Sequence, residues 1–342
     1  MKGIPERTTL SGFPCLNKNI KIFINWFLGP VILVWLGFHL YRVIVVQPGR
    51  EQAWQQIKVA FTGAGSWQVY LSVILVGANW GIEALKWRYM IKPVQQLTFF
   101  QAFKGILAGT SLAVNTPNQV GEYFGRMIYV EEGNRLRTIP LTIACSFSQL
   151  IVTLVAGCIG LAFFILLLQH PGHTGLSDLW AKTLLSIVSV GTALAILVYF
   201  KLSLLTRLAE RIPIISRYRY FLSAMETLST KTLVTTLGFS VARYVVFILQ
   251  YLLVMNAFGL NGGILVNTCL VSVLFIVMSA IPTIVLAEAG IRGKAGIFIF
   301  GVVYTGNSLA IVSSGLFIWL INLMLPALAG GLMLLGKRIF KK

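Results

Sequence analysis

Aspartate is almost missing from this chain. Asp178 is the only one in 342 residues, and all acidic residues together number 10 against 28 lysines and arginines. A paired-aspartate metal site for a nucleotide-sugar is thereby excluded. Cysteine is equally sparse. Cys15, Cys145, Cys158 and Cys269 are scattered, with neither a disulfide framework nor metal-ligand spacing. Of the three histidines, His39 stands alone, and His170 and His173 flank Pro171-Gly172, which reads as loop polarity. There is no Walker A sequence and no G-x-S-x-G elbow, so nothing here draws on ATP or builds a nucleophile elbow. No metal or cofactor is expected. Charge of either sign is scarce, at 11% of residues, whereas 57% are hydrophobic.

That balance reads as an all-α polytopic membrane protein without room for a soluble domain of ordinary size. The net charge of +18 does not point to nucleic acid, because the basic residues lie in short loops between apolar runs. About 20 apolar residues cross the ~30 Å bilayer core. Six runs meet this length, near Ile22–Val46, Trp67–Leu85, Leu141–Leu168, Leu179–Phe200, Thr232–Phe258 and Ala310–Leu335. Two further segments, 99–130 and 265–304, have shorter arms of mostly 11 to 18 residues and read as helical hairpins, although the last arm, Ala287–Tyr304, is also long enough for a tilted full span. The first apolar run has no small-residue cleavage site and is expected to be a retained helix.

Basic residues set orientation. Residues 1–21 carry four, 86–137 seven and 201–231 six, and the tail holds Lys337, Arg338, Lys341 and Lys342. The loops 170–178 and 259–264 carry none. Both termini are expected in the cytoplasm. The predicted divisions are a cytoplasmic segment 1–21, a first membrane repeat 22–170, a second membrane repeat 171–336 and a basic tail 337–342. Each repeat reads span, span, hairpin, span, and the second starts from the opposite face. This predicts an inverted-topology repeat of eight or more membrane segments. Amphipathic connectors, Arg50–Gly65 and Lys201–Lys231, fall at matching places in the two repeats.

The hairpins carry one motif twice. Pro117 is followed by Glu122 and Arg126, and Pro282 by Glu288 and Arg292. Proline breaks the helix. Glutamate and arginine four residues apart share a face of the helix that restarts. A charged, interrupted element in corresponding places of two halves points to a transport site. Asn115, Pro117, Asn118 and Gly121 at the first tip, with Pro282 and Thr283 at the second, are candidates for substrate binding alongside the four charged residues. Freed N–H groups at the restarting helices and converging arginines would suit a phosphate. The plainer reading is two self-neutralising pairs. Arg243 lies about eleven residues into the fifth span, roughly 16 Å deep, and needs a buried partner. Lys86-Trp87-Arg88 reads as an interfacial anchor, while Glu83 lies deeper.

The stretch from Gly109 to Arg126 resembles the Thr-Pro, Gly-Glu, Arg signature of the lysylphosphatidylglycerol synthase transmembrane-region family. Pro117, Gly121, Glu122 and Arg126 match its first motif; Pro282 and Glu288 match a second. Asn118, Ile284, Val285 and Ala287 stand where glycines are usual. The resemblance spans about Ile22 to Leu335. It implies a flippase-like role toward a lipid headgroup, phospholipid or polyprenyl-phosphate-linked, rather than an enzyme. No aminoacyl-transferase domain is expected. Two alternatives are a membrane-embedded lipid-linked transferase using Glu122 or Glu288 as base, and a non-catalytic subunit of a lipid-modifying partner enzyme.

Overall fold

The computed structural model describes residues 34, 38, 50–63, 65–114, 116, 119–168, 178–202, 224, 225, 228–281 and 285–335. Its helices, in chain order, are α1 (Arg50–Thr62), α2 (Ser66–Ile91), α3 (Phe99–Ala113), α4 (Gly121–Met127), α5 (Arg135–Leu168), α6 (Asp178–Phe200), α7 (Thr230–Ala257), α8 (Ile264–Ala280), α9 (Val285–Phe300), α10 (Ser308–Trp319) and α11 (Leu325–Leu335). No strand occurs among the described residues. The expected first span, Ile22–Val46, and most of the Lys201–Lys231 connector lie outside them. So do Asn115, Pro117, Asn118, Pro282, Thr283 and the three histidines.

Local chemistry sets several helix starts. Thr98 and Gln101 form a reciprocal capping box before α3: Thr98 Oγ1 accepts from the Gln101 N–H at 3.3 Å, and Gln101 Oε1 from the Thr98 N–H at 2.9 Å. Ser229 caps α7, its Oγ accepting from the Thr232 N–H at 3.2 Å. Among the described residues, five stretches are long and apolar enough to cross a bilayer: Ser66–Ile91, Glu132–Leu166, Lys182–Phe200, Thr230–Ala257 and Ser308–Leu335. They follow the expected second to sixth spans, with the ends shifted. The last is interrupted by a π-helical turn over Leu320–Met324. The chain is thus a multi-pass helical membrane protein.

The first hairpin departs from the predicted arm lengths. Its second arm, α4, has only seven residues, about 10 Å. The reason is local. Gln119 adopts φ 57°, and Thr116 Oγ1 accepts from the Gly121 N–H at 2.7 Å, so the turn persists to residue 120. Beyond Met127 the bonding tightens, with N–H groups of Ile128, Tyr129 and Val130 reaching carbonyls three residues back. The short arm is nevertheless clamped. A Cβ at Gly121 would collide with the Leu112 carbonyl, and one at Gly125 with Gly109 and the Ala108 carbonyl. Backbone therefore lies on backbone, which only glycine permits.

Packing between the two parts of the chain is reciprocal. At the centre α2 lies along α7. On one side α3 packs on α11, and on the other α8 packs on α5. Both lateral contacts use glycine. A Cβ at Gly330 would strike the Leu107 carbonyl of α3, and one at Gly160 would sit 2.7 Å from the Cys269 carbonyl of α8. Small residues at crossings let membrane helices approach closely, where dispersion replaces the hydrophobic drive lost in lipid.

Candidate functional site

The core where α2, α4 and α7 meet is charged. Asn79, Glu83 and Lys86 recur at four- and three-residue spacing on α2 and share one face. All three are buried; Glu83 is 2% exposed. Its carboxylate is the hub. Oε2 accepts from Lys86 Nζ at 2.7 Å and from Arg243 Nη1 of α7 at 3.0 Å. Oε1 accepts from Arg126 Nη2 of α4 at 2.9 Å. The same Arg126 nitrogen also binds Glu122, one turn back on α4. Five ionisable groups thus form one connected cluster. Burying any of them alone would be severely unfavourable, and the mutual pairing is what keeps them charged.

Neutral groups hold the cluster in place. Arg243 Nε donates to Asn79 Oδ1 at 2.7 Å. Asn79 Nδ2 donates to Asn322 Oδ1, in the π turn, at 3.1 Å. The Arg243 guanidinium stacks on Trp80 and Phe247, 5.1 and 5.2 Å from their centroids. Arg126 sits 5.8 Å from the Trp87 ring centroid. Trp87 is fully buried and donates its Nε1–H to Thr142 Oγ1 at 3.1 Å. Lys86 and Trp87 are therefore not an interfacial anchor: both are interior, and only Arg88 of that trio faces outward. Their place in the α2 register, about two turns from Asn79, turns them inward.

A cavity of about 250 Å³ opens beside this cluster. Glu83, Lys86, Glu122 and Arg243 form its charged wall. Ser146, Gln149 and Thr153, at three- and four-residue spacing along α5, form a polar wall. Ala113 and Gln119 enter from the first hairpin turn, and Ser279 from the last turn of α8. The cavity thus lies between the C-terminal ends of α3 and α8. Several polar atoms around it lack a partner among the described residues. Trp80 Nε1 and Gln149 Oε1 on the cavity wall, and Arg126 Nε and Nη1 behind it, are buried without hydrogen bonds. Buried polar groups of this kind need hydrogen-bond partners.

The expected residues divide accordingly. Glu122, Arg126 and Arg243 come together, with Gly121 seating the helix that carries the first two. Glu288 and Arg292 do not join them. They form a separate pair at 2.6 Å, and Arg292 Nη1 donates to Tyr251 OH of α7, also at 2.6 Å. The two halves nevertheless echo each other. Trp87 beneath Arg126 and Tyr251 beside Arg292 occupy the same position along α2 and α7, counted from Ser66 and Thr230. Asn79, Gln149 and Asn322 were missed in the sequence. The polar stripe on α2 was legible from spacing; Asn322 was not, because a π turn shifts the register of its helix.

Among the described residues no group of three or more metal-ligating side chains exists. No curated protein matches the chain. Over residues 26–330, most of its length, the sequence matches the family described as the lysylphosphatidylglycerol synthase TM region, and the chain belongs to that family.

Proposed function

We propose that this protein moves the headgroup of an anionic membrane lipid across the bilayer, through the cavity beside Glu83 and Arg243. One observation carries the reading: a cavity walled by Lys86 and Arg243 beside Glu83 and Glu122 lies at the ends of α3 and α8, within helices whose outer faces are apolar. A headgroup needs such a polar place inside the membrane, while acyl chains need only the lipid outside. Arg243 has an Nη2 group with no partner among the described residues, and it lines the cavity.

The reciprocal packing of α3 on α11 and α8 on α5 supports an inverted-topology repeat, with re-entrant hairpins meeting around the cavity. Rocking of one half against the other would open the cavity to each leaflet in turn. The basic loops support cytoplasmic termini, and the family resemblance carries the expectation of a bacterial-type inner membrane. In this reading the chain is a transporter, not an enzyme.

The test is reconstitution into liposomes holding NBD-acyl phosphatidylglycerol, with dithionite added outside. Wild type should expose inner-leaflet label to quenching well beyond protein-free vesicles. Arg243→Gln should lower that rate at least about tenfold, the loss of one charge-assisted contact to phosphate. Quenching equal to protein-free vesicles, across phospholipid and polyprenyl-phosphate probes, would contradict the reading and favour a lipid-modifying partner or a transferase.

A further inference from the structure

The charge count around the cavity sets what it can hold. The connected cluster contains three cations, Lys86, Arg126 and Arg243, and two carboxylates, Glu83 and Glu122. Arg126 is spent on the carboxylates and is 1% exposed. Lys86 and Arg243 reach the cavity wall, yet both already share one Glu83 oxygen. The cluster therefore carries one uncompensated positive charge, delivered at the wall by two donors. Free N–H groups are available to donate to an oxyanion: Arg243 Nη2, and the indole of Trp80, which is buried without a partner.

We propose that the cavity selects a compact headgroup bearing one net negative charge, a single phosphodiester, and discriminates against doubly charged phosphomonoesters and diphosphates. This deepens the translocation reading and rests on the same cavity. In a low-dielectric interior an unpaired charge is costly whichever partner carries it. A monoanion neutralises the cluster. A zwitterion leaves the excess cation in place, and a dianion overshoots by one charge. Glu122 enforces the limit. It lines the cavity, pairs with Arg126 and presents like charge to any second phosphate negative charge. Size acts in the same direction. About 250 Å³ falls below the ~300–1,000 Å³ of ordinary small-molecule pockets, so a phosphate with a small alcohol fits and a glycan does not.

Binding can be read apart from transport. The detergent-solubilised protein is titrated with dihexanoyl phosphatidylglycerol, dihexanoyl phosphatidylcholine and dihexanoyl phosphatidic acid, the last at a pH where it is doubly charged. Deacylated glycerophosphoglycerol is added as a fourth probe, to separate a lipid requirement from recognition of the phosphate itself. Thermal stabilisation reports affinity. The monoanionic diester should bind at least about tenfold more tightly than the zwitterion or the dianion. Glu122→Gln adds one net positive charge and should move the preference to phosphatidic acid. Should that variant not fold, Arg243→Gln removes one charge and should move it to phosphatidylcholine. Dianion binding equal to or tighter than the monoanion in wild type would overturn the proposal. So would an unchanged order in a folded variant. If the order holds while no lipid crosses liposomes, the selectivity stands and the translocation reading falls.

Discussion

Glu83 is the residue on which the charged core depends. Its two oxygens accept from Lys86, Arg126 and Arg243, and it is 2% exposed. Glu83→Gln keeps the shape and removes the charge, leaving three buried cations with only Glu122 to balance them. Breaking a buried network in this way costs about 3–5 kcal/mol. A clear drop in the thermal midpoint of the detergent-solubilised protein is expected. Glu132→Gln is the control: its pair with Arg135 is 3.9 Å long and the glutamate is 58% exposed, so the change should stay within about 1 kcal/mol. Equal midpoints for the two variants would mean that Glu83 is not the hub. Glu83 stood out in the sequence because a carboxylate deep in an apolar run needs a partner. Its partners did not. Lys86 looked like a snorkelling anchor, since neighbouring Trp and Arg at a helix end usually mean that, and only the register of α2 against α7 turns it inward.

At the level of elements, glycine decides where the charges sit. Gly121 and Gly125 place α4 directly on α3, and through α4 they place Glu122 and Arg126. Gly125→Ala would put a methyl into the Ala108 carbonyl and Gly109, so α4 must lift from α3. We expect destabilisation of about 1–3 kcal/mol, the usual cost of overpacking, together with weaker lipid movement. Gly77→Ala makes a clean comparison: nothing lies within 4 Å of its Cβ, and alanine is the better helix former by about 1 kcal/mol. Thermal melting of both variants separates them, and a neutral Gly125→Ala would refute the clamp. The motif Gly-Glu-Tyr-Phe-Gly-Arg announced a charged helix face but not its shortness. Seven residues of helix result because Gln119 in a left-handed conformation and the Thr116 cap extend the turn, and no periodicity encodes that.

Across the described residues, the positions of the long apolar helices followed from apolar run length. The second to sixth expected spans all appear, their ends moved by up to nine residues where polar turns such as Arg135–Thr138 join the helix. Assembly was less legible. Matching Pro, Glu and Arg in two halves predicted two arginines in one site, yet Arg292 is held by Tyr251 and Glu288 while Arg126 joins Glu83. Pairing between α2 and α7 makes that choice, and it depends on contacts far apart in sequence. Orientation is open to test: fusions of a cytoplasm-only fluorescent reporter at residue 1 and after residue 342 should both glow. One glowing and one dark end would break the proposed inverted topology, and two dark ends would overturn the proposed orientation. The claim at the centre is that a lipid headgroup passes between the hairpin ends, and one measurement addresses it directly. Cysteines replacing Ala113 and Ser279, which line the cavity from the first and second hairpins, are joined by a reductant-cleavable methanethiosulfonate cross-linker in a background lacking the native cysteines. Cross-linked protein in liposomes should fail to expose inner-leaflet NBD-acyl phosphatidylglycerol to dithionite, and reductant applied and removed beforehand should restore the rate. Movement at the full rate with both cysteines cross-linked would contradict passage between the hairpin ends.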